Sequence, residues 1–375
     1  MLAVLALALL SRQTPAQSEA QRQEAQHQAD IQFDIDWGKK LADETDKQYK
    51  ASDNQAMIAR VQRIGAEMVA IARTTHTIAL WGDTRYNFFP YTFKVLKDDE
   101  INAFSLPGGH IYIFEGLLRY VESDDELAAV IGHEMSHAAF RHLRYLVHEQ
   151  SKIDVLTIPL IILSILKGGE SAGGGAEMGE LVNTALANGW SNKAELAADY
   201  GGFQLLVKSK YNPTGMLTLN ERFMRDERNS PVAMQGIFQT HPPSRERAMA
   251  ILGYMKVRHI PVQRSLVTTT FRASASDGSI LFGKLQLVTL GGPDAATRAA
   301  AAVPGLNAMF DSTPGLYELT RSGGDILFHY QPVLHLNEDD AKAAGMSLST
   351  LADRTLRNIR GSLFTIGFDI WDENP

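Results

Sequence analysis

Cysteine is absent from the chain, which excludes disulfides and a thiol nucleophile and leaves any bound metal to nitrogen and oxygen ligands. There is no long basic run and no basic–aromatic array. With a net charge of -7 and a pI near 5.9, no nucleic-acid partner is expected. Long apolar runs are few. One, Val155 to Leu166, would form a helix about 18 Å long against a hydrocarbon core of about 30 Å, and Pro159 interrupts it, so it is not expected to span a bilayer. With the glycine-rich Gly168 to Gly175 behind it, the stretch 153–176 reads either as a movable flap that touches a membrane surface through 155–166 or as an ordinary buried helix and linker. The other run, Leu2 to Leu10, has signal-peptide length, and Thr14-Pro15-Ala16 stands where a cleavage site would follow. Residues 1–28 are therefore expected to be a signal peptide or N-terminal anchor plus a Gln-rich linker, flexible or loosely helical, placing the protein in a bacterial periplasm or cell envelope.

What is present is concentrated in His133-Glu134-Met135-Ser136-His137. At about 100° per residue, His133 and His137 share one face of a helix a turn apart, so both imidazoles can meet one metal while Glu134 stands beside them to handle a water. Ser123-Asp124-Asp125-Glu126 reads as a capping box that opens this helix, with Ser123 as N-cap and Glu126 reaching back to its amide. Leu127, Val130 and Ile131 mark its apolar face, and helical residues run to about Glu149.

A catalytic zinc usually takes three protein ligands. Downstream, Glu195-Leu196-Ala197-Ala198-Asp199 puts two carboxylates on one helix face, one to bind metal and the other, Asp199, to accept from the far nitrogen of a ligand histidine. Asn192 to Glu195 also reads as a plain helix start, with Asn192 as N-cap and Glu195 completing a capping box.

HExxH, then ExxAD, then Thr240-His241-Pro242-Pro243 with Arg247, together with Asn102 to His110 ahead of the helix, resembles the gluzincin peptidase family that includes the membrane protease HtpX, the periplasmic protease and chaperone BepA, the mitochondrial Oma protease and the CAAX prenyl protease. The organisation is most similar to soluble periplasmic BepA-like members. The resemblance implies one zinc ion held by His133, His137 and Glu195, with Glu134 as general base. It places His241 and Arg247 near the metal, as donors to a tetrahedral oxyanion or, for His241, as a fourth zinc ligand at rest. It also implies an α+β, mainly helical metallopeptidase domain over 29–258, with a small sheet beside the zinc helix. Asn102, Ala103, Phe104 and Ser105 would border the cleft as a sheet edge on which extended or unfolded protein substrates pair by their backbone.

Tyr91 to Val95 and Ile111 to Phe114 read as strands around a turn at Asp98-Asp99-Glu100. His142 falls about 180° around the helix from His133 and cannot join the same metal from an undistorted helix. His110, His142 and His148 are therefore expected to be structural.

Residues 259–375 read as a small accessory α/β module without a catalytic constellation, His329 and His335 lacking ligand spacing. Ser265 to Ala273, Ser279 to Leu290 and Gly324 to Pro332 look strand-like, and Asp294 to Phe310 and Leu351 to Ser362 helical. The expected function is zinc-dependent endopeptidase action on misfolded or membrane-associated envelope proteins; the alternative is a chaperone or assembly factor on a peptidase scaffold with little turnover.

Overall fold

The computed structural model describes residues 15–85, 87–149, 190–229, 241 and 245–366. The expectations for the apolar run at 2–10 and for the flap at 153–176 lie outside the described residues, as does the side chain of His148. The fold is α+β and mainly helical, with small three-stranded sheets. No helix among the described residues is long and apolar enough to cross a membrane.

A long helix, α1 (Pro15–Gln48), comes first and is continuous through the Gln-rich stretch at 17–28. Then follow α2 (Gln55–Ala72), β1 (Thr92–Leu96), β2 (Ala103–Leu106), β3 (His110–Phe114), the short α3 (Glu115–Tyr120) and α4 (Asp124–Ala139). The three strands form one sheet in the order β1-β3-β2, with β1 parallel and β2 antiparallel to β3. Successive side chains of a strand point to opposite faces, and here both faces are covered. Val95, Ala103, Ile111 and Ile113 join the core shared with α2 and α4, whereas Leu96, Phe104, Tyr112 and Phe114 pack with Trp37 and Leu41 of α1. Strand β2 is left at the sheet edge.

Ser123 caps α4 by accepting from the Glu126 amide, but the Glu126 carboxylate reaches one residue further back than a capping box requires, to the amide of Glu122 at 2.8 Å. It is buried against Arg222 and Thr218. The helix expected to reach Glu149 stops at Ala139. Arg141 takes a positive φ of 56°, which breaks the helix, and a separate helix, α5 (His142–Glu149), follows. The break is held by charge: the buried Arg141 guanidinium binds Asp34 of α1 and, at 3.0 Å, Asp83.

The domain is completed by α6 (Trp190–Val207), α7 (Thr214–Asn229) and α8 (Arg245–Val257), which share the apolar core of α2 and α4. Asn192 lies inside α6, so the helix-start reading of Asn192 and Glu195 does not hold.

Residues expected to begin a strand at Ser265 instead form a short helix, α9 (Arg264–Val267). Its buried Arg264 grips Glu221 of α7 through two hydrogen bonds of 2.6 and 2.8 Å, and Asp311 holds the Ser265 amide and hydroxyl, so side-chain anchoring overrides the strand propensity. Beyond it stand β4 (Ala273–Ser276), β5 (Ser279–Phe282), β6 (Leu285–Thr289), α10 (Ala295–Asp311), β7 (Leu319–Ser322), β8 (Asp325–Phe328), β9 (Gln331–His335), α11 (Glu338–Ala343) and α12 (Leu348–Leu363). Each expected single strand at 279–290 and 324–332 is a hairpin of two.

This part of the chain contains a repeat. Ser276-Asp277-Gly278-Ser279-Ile280-Leu281-Phe282 returns as Ser322-Gly323-Gly324-Asp325-Ile326-Leu327-Phe328. Each copy sits in a three-stranded antiparallel sheet with a register shift at the same place, between Ile280 and Leu281 or between Ile326 and Leu327. Helix α10 packs on β4 and β5 of its own unit and on β9 of the other, while α12 packs on β7 and β8 and on β6.

Replacing Arg141 by alanine removes the buried cation shared by Asp34 and Asp83 and leaves them only the partly exposed Arg144 and Arg85. A loss of about 1.5–3 kcal/mol in urea unfolding is expected from the buried charged hydrogen bonds removed, against less than about 1 kcal/mol for Arg119→Ala, whose ion pair is solvent-exposed. Equal losses would show that the Arg141 pairs do not hold the fold.

Candidate metal centre

Helices α4 and α6 cross where glycine meets glycine. A Cβ on Gly202 would stand 2.9 Å from the Gly132 carbonyl carbon and from the His133 nitrogen, and one on Gly132 would meet the Gly202 Cα at 3.3 Å. This close approach brings the His133 and His137 face of α4 against the Glu195 and Asp199 face of α6.

The donor atoms then fall into one cluster. His133 Nε2 and His137 Nε2 are 3.0 Å apart, and Glu195 presents one carboxylate oxygen to each at 3.2 Å. His241 adds its Nδ1 at 3.0 Å from Glu195 Oε1 and 3.3 Å from His133 Nε2. Donors placed tetrahedrally about 2.0–2.1 Å from one ion stand about 3.3 Å from each other. The four ligand atoms all lie within 4.8 Å of one another, so two imidazoles, a carboxylate and a third imidazole suit a borderline cation such as zinc.

The proton positions suit it too. Asp199 Oδ1 lies 2.9 Å from His133 Nδ1, and an ionised carboxylate only accepts, so the proton sits on Nδ1 and the Nε2 lone pair faces the cluster. Arg247 locks Asp199 in that pose with hydrogen bonds of 2.7 and 2.8 Å, and its third nitrogen lies 3.0 Å from Glu195 Oε2. Burial raises the pKa of both carboxylates, but the Arg247 guanidinium and the histidines outweigh it, holding Asp199 down to about 2 and Glu195 well below the usual carboxylate range. Burial likewise disfavours the charged form of His133, and Glu195 and Asp199 overcome it and raise that pKa; for His137 burial prevails and lowers it.

Glu134 is buried beside the cluster. Its Oε1 is 3.4 Å from His241 Nε2, and its Oε2 has no hydrogen-bond partner among the described residues. A buried carboxylate oxygen without a donor is costly. Next to a set of metal-binding atoms, it is placed to receive a proton from water.

The remaining expected residues divide. Asn102 is buried, with its carbonyl accepting from the Phe114 amide at 3.0 Å. Antiparallel alternation then turns the backbone groups of Ala103 and Ser105 to the outer side of the edge strand. The side chains of Ala103 and Phe104 belong to the two cores, Phe104 stacking on Tyr112, so any recognition there is by backbone. His110 pairs with Thr92, His329 with Glu318 and His335 with Asp325, all outside the cluster.

His142 is the residue that sequence reasoning placed too far away. It offers no atom to the cluster, yet the break at Arg141 brings its Nδ1 to 2.9 Å from His137 Nδ1. Burial, with His137 nearby, pushes its pKa well below that of a free histidine.

An HExxH helix with a downstream carboxylate against both histidines defines a metallopeptidase. The chain belongs to peptidase family M48, whose family model matches residues 58–255. It is 34% identical over 156 residues to the beta-barrel assembly-enhancing protease of Escherichia coli (strain K12), covering 41% of this chain and 32% of that protein. It is 27% identical over 217 residues to the mitochondrial metalloendopeptidase OMA1 of Schizosaccharomyces pombe, covering 58% and 60%, and 29% identical over 186 residues to the metalloprotease LoiP of E. coli, covering 48% and 69%. The chain thus spans about a third of the length of the first of these relatives.

Glu195→Ala should lose most of the zinc found by metal analysis of the purified protein, whereas the control Glu180→Ala should keep it. Equal zinc in Glu195→Ala and the parent would remove Glu195 from the ligand set. Asp199→Ala should weaken zinc affinity roughly ten- to a hundredfold, and an unchanged affinity would leave it as a carboxylate that serves packing alone.

Proposed function

We propose that the protein is a zinc endopeptidase of the gluzincin type that hydrolyses peptide bonds of misfolded or membrane-associated cell-envelope proteins. The observation that carries this reading is the buried Oε2 of Glu134, without a donor among the described residues, beside the His133, His137 and Glu195 donors. Zinc, when bound, lowers the pKa of water and polarises a scissile carbonyl. Glu134 takes the proton of the attacking water at Oε2 and returns it to the leaving amine. The outer backbone groups of Ala103 and Ser105 pair with an extended substrate strand, selecting unfolded chains by backbone and not by sequence.

His241 acts as a gate. Its Nδ1 stands among the ligand atoms, which supports a resting state in which it fills the fourth position and must swing out before substrate enters. Arg247, held between Asp199 and Glu195, orients those carboxylates; its engagement with both is the observation against a direct role at the oxyanion. A chaperone with little turnover has no use for a buried carboxylate oxygen at this place that lacks a donor among the described residues. An envelope location is supported by the apolar run at Leu2 to Leu10 and by similarity to a bacterial protease named for β-barrel assembly.

Glu134→Gln keeps the shape and removes the base. It should retain zinc and the parent's melting profile while losing nearly all hydrolysis of an unfolded casein substrate; retained hydrolysis would exclude Glu134 as the base. His241→Ala should raise turnover if the residue is a gate. A drop of roughly a hundredfold with zinc still bound would make it an oxyanion donor instead, and unchanged activity would remove both roles.

A further inference from the structure

We propose that His142 is a positioning residue that keeps the proton of His137 on Nδ1, and so presents the Nε2 lone pair of that ligand to the metal. The proposal rests on the reading of His137 as a ligand.

The argument is one of donors and acceptors. His142 is 1% exposed and has two polar neighbours in line, the Trp81 carbonyl oxygen 3.2 Å from its Nε2 and His137 Nδ1 2.9 Å from its own Nδ1. A carbonyl oxygen only accepts, so the hydrogen of a neutral His142 sits on Nε2 and its Nδ1 carries a lone pair. That lone pair faces His137 Nδ1, which must therefore hold a hydrogen. One hydrogen on Nδ1 leaves His137 Nε2 bare, and Nε2 is the atom 3.0 Å from His133 Nε2 and 3.2 Å from Glu195 Oε1. A peptide carbonyl thus sets the tautomer of a ligand two residues removed in the hydrogen-bond chain.

The surroundings keep the relay in place. Arg141, with its positive φ, turns the chain so that His142 faces His137 and not the opposite side of a continued helix. The Asp83 amide donates to the Phe140 carbonyl at 2.8 Å, tying the 81–83 segment to the helix break, and the Trp81 ring lies 5.2 Å from the His142 ring. Gly82, at φ 93°, lets the two segments meet: a Cβ there would stand 2.4 Å from the Phe140 oxygen and 2.8 Å from His142 Cδ2. The two histidine ligands are consequently wired differently. His133 leans on an ionised carboxylate, His137 on a neutral imidazole backed by a backbone carbonyl.

The test compares two replacements in the full chain, with zinc ion titrated against a chelating dye. His142→Phe keeps a ring against Trp81 but offers His137 no acceptor, and zinc affinity should fall roughly ten- to a hundredfold. His142→Asn places a carboxamide oxygen near the position of Nδ1 and should stay within about threefold of the parent. Equal affinities for the two variants overturn the proposal, as does a parent that binds no zinc, which sinks the ligand reading as well. Nitrogen NMR of the zinc-loaded parent with labelled histidine gives a readout independent of folding in the variants. His137 should show a protonated Nδ1 and His142 a protonated Nε2; the reverse tautomer at His142 overturns the proposal.

Discussion

Two carboxylates, Glu195 and Asp199, are buried one helical turn apart between α4 and α6, and charges of one sign cannot remain in such a place without cations. The penalty is several kcal/mol for each ion in a real protein. Arg247 supplies one permanent positive charge and reaches both. His133, set by Asp199, and His137, facing Glu195, complete the surroundings. The tautomer of His133 and the place of His241 follow from the need to satisfy these two groups. A metal ion in the cluster would meet the same need.

The parts of the site legible in the sequence are those that depend on helix periodicity alone. His133 with His137, and Glu195 with Asp199, share faces because each pair is four residues apart, whatever else the chain does. The partners of Arg247 were not legible, since nothing local to α8 indicates that its guanidinium enters between two carboxylates of α6. His142 was misplaced for a definite reason. Its direction depends on a break at Arg141, an arginine in a conformation that favours glycine, held by Asp34 and Asp83 from distant parts of the chain. The sheet beside α4 was readable in outline as Tyr91 to Val95 and Ile111 to Phe114, and the strands lie at Thr92–Leu96 and His110–Phe114. The hairpin at His329-Tyr330 was not, because both residues take positive φ without the glycine or asparagine that marks such turns.

The start of α4 is tied to the segment that leads into the repeated sheets. Glu122, just before the N-cap, accepts from the amides of Thr269 and Thr270 and from the hydroxyls of Thr268, Thr269 and Thr270. Arg222 stands between Glu122 and Glu126, at 3.5 Å and 2.6 Å. Burial opposes the Glu122 charge, but the threonine donors and Arg222 hold its pKa down to about 2. Glu126, one turn into α4, is thus in the same ionic chain as the linker. The segment at 268–270 is fixed to the helix that carries His133 and His137.

The repeated units of the C-terminal part share their helices: α10 packs on β4 and β5 of its own unit and also on β9 across the repeat boundary, and α12 on β7 and β8 and also on β6. The two units build one common core between them. Neither half can bury its own sheet and helix without the other, so the two must form and melt as one cooperative unit. A polypeptide ending after α10 would carry one sheet deprived of α12 and one helix deprived of β9, and the apolar faces so bared would be adhesive. Synthesis of this region is therefore complete in a structural sense only when α12 has emerged, which makes α12 the closing piece of a fold that begins at β4.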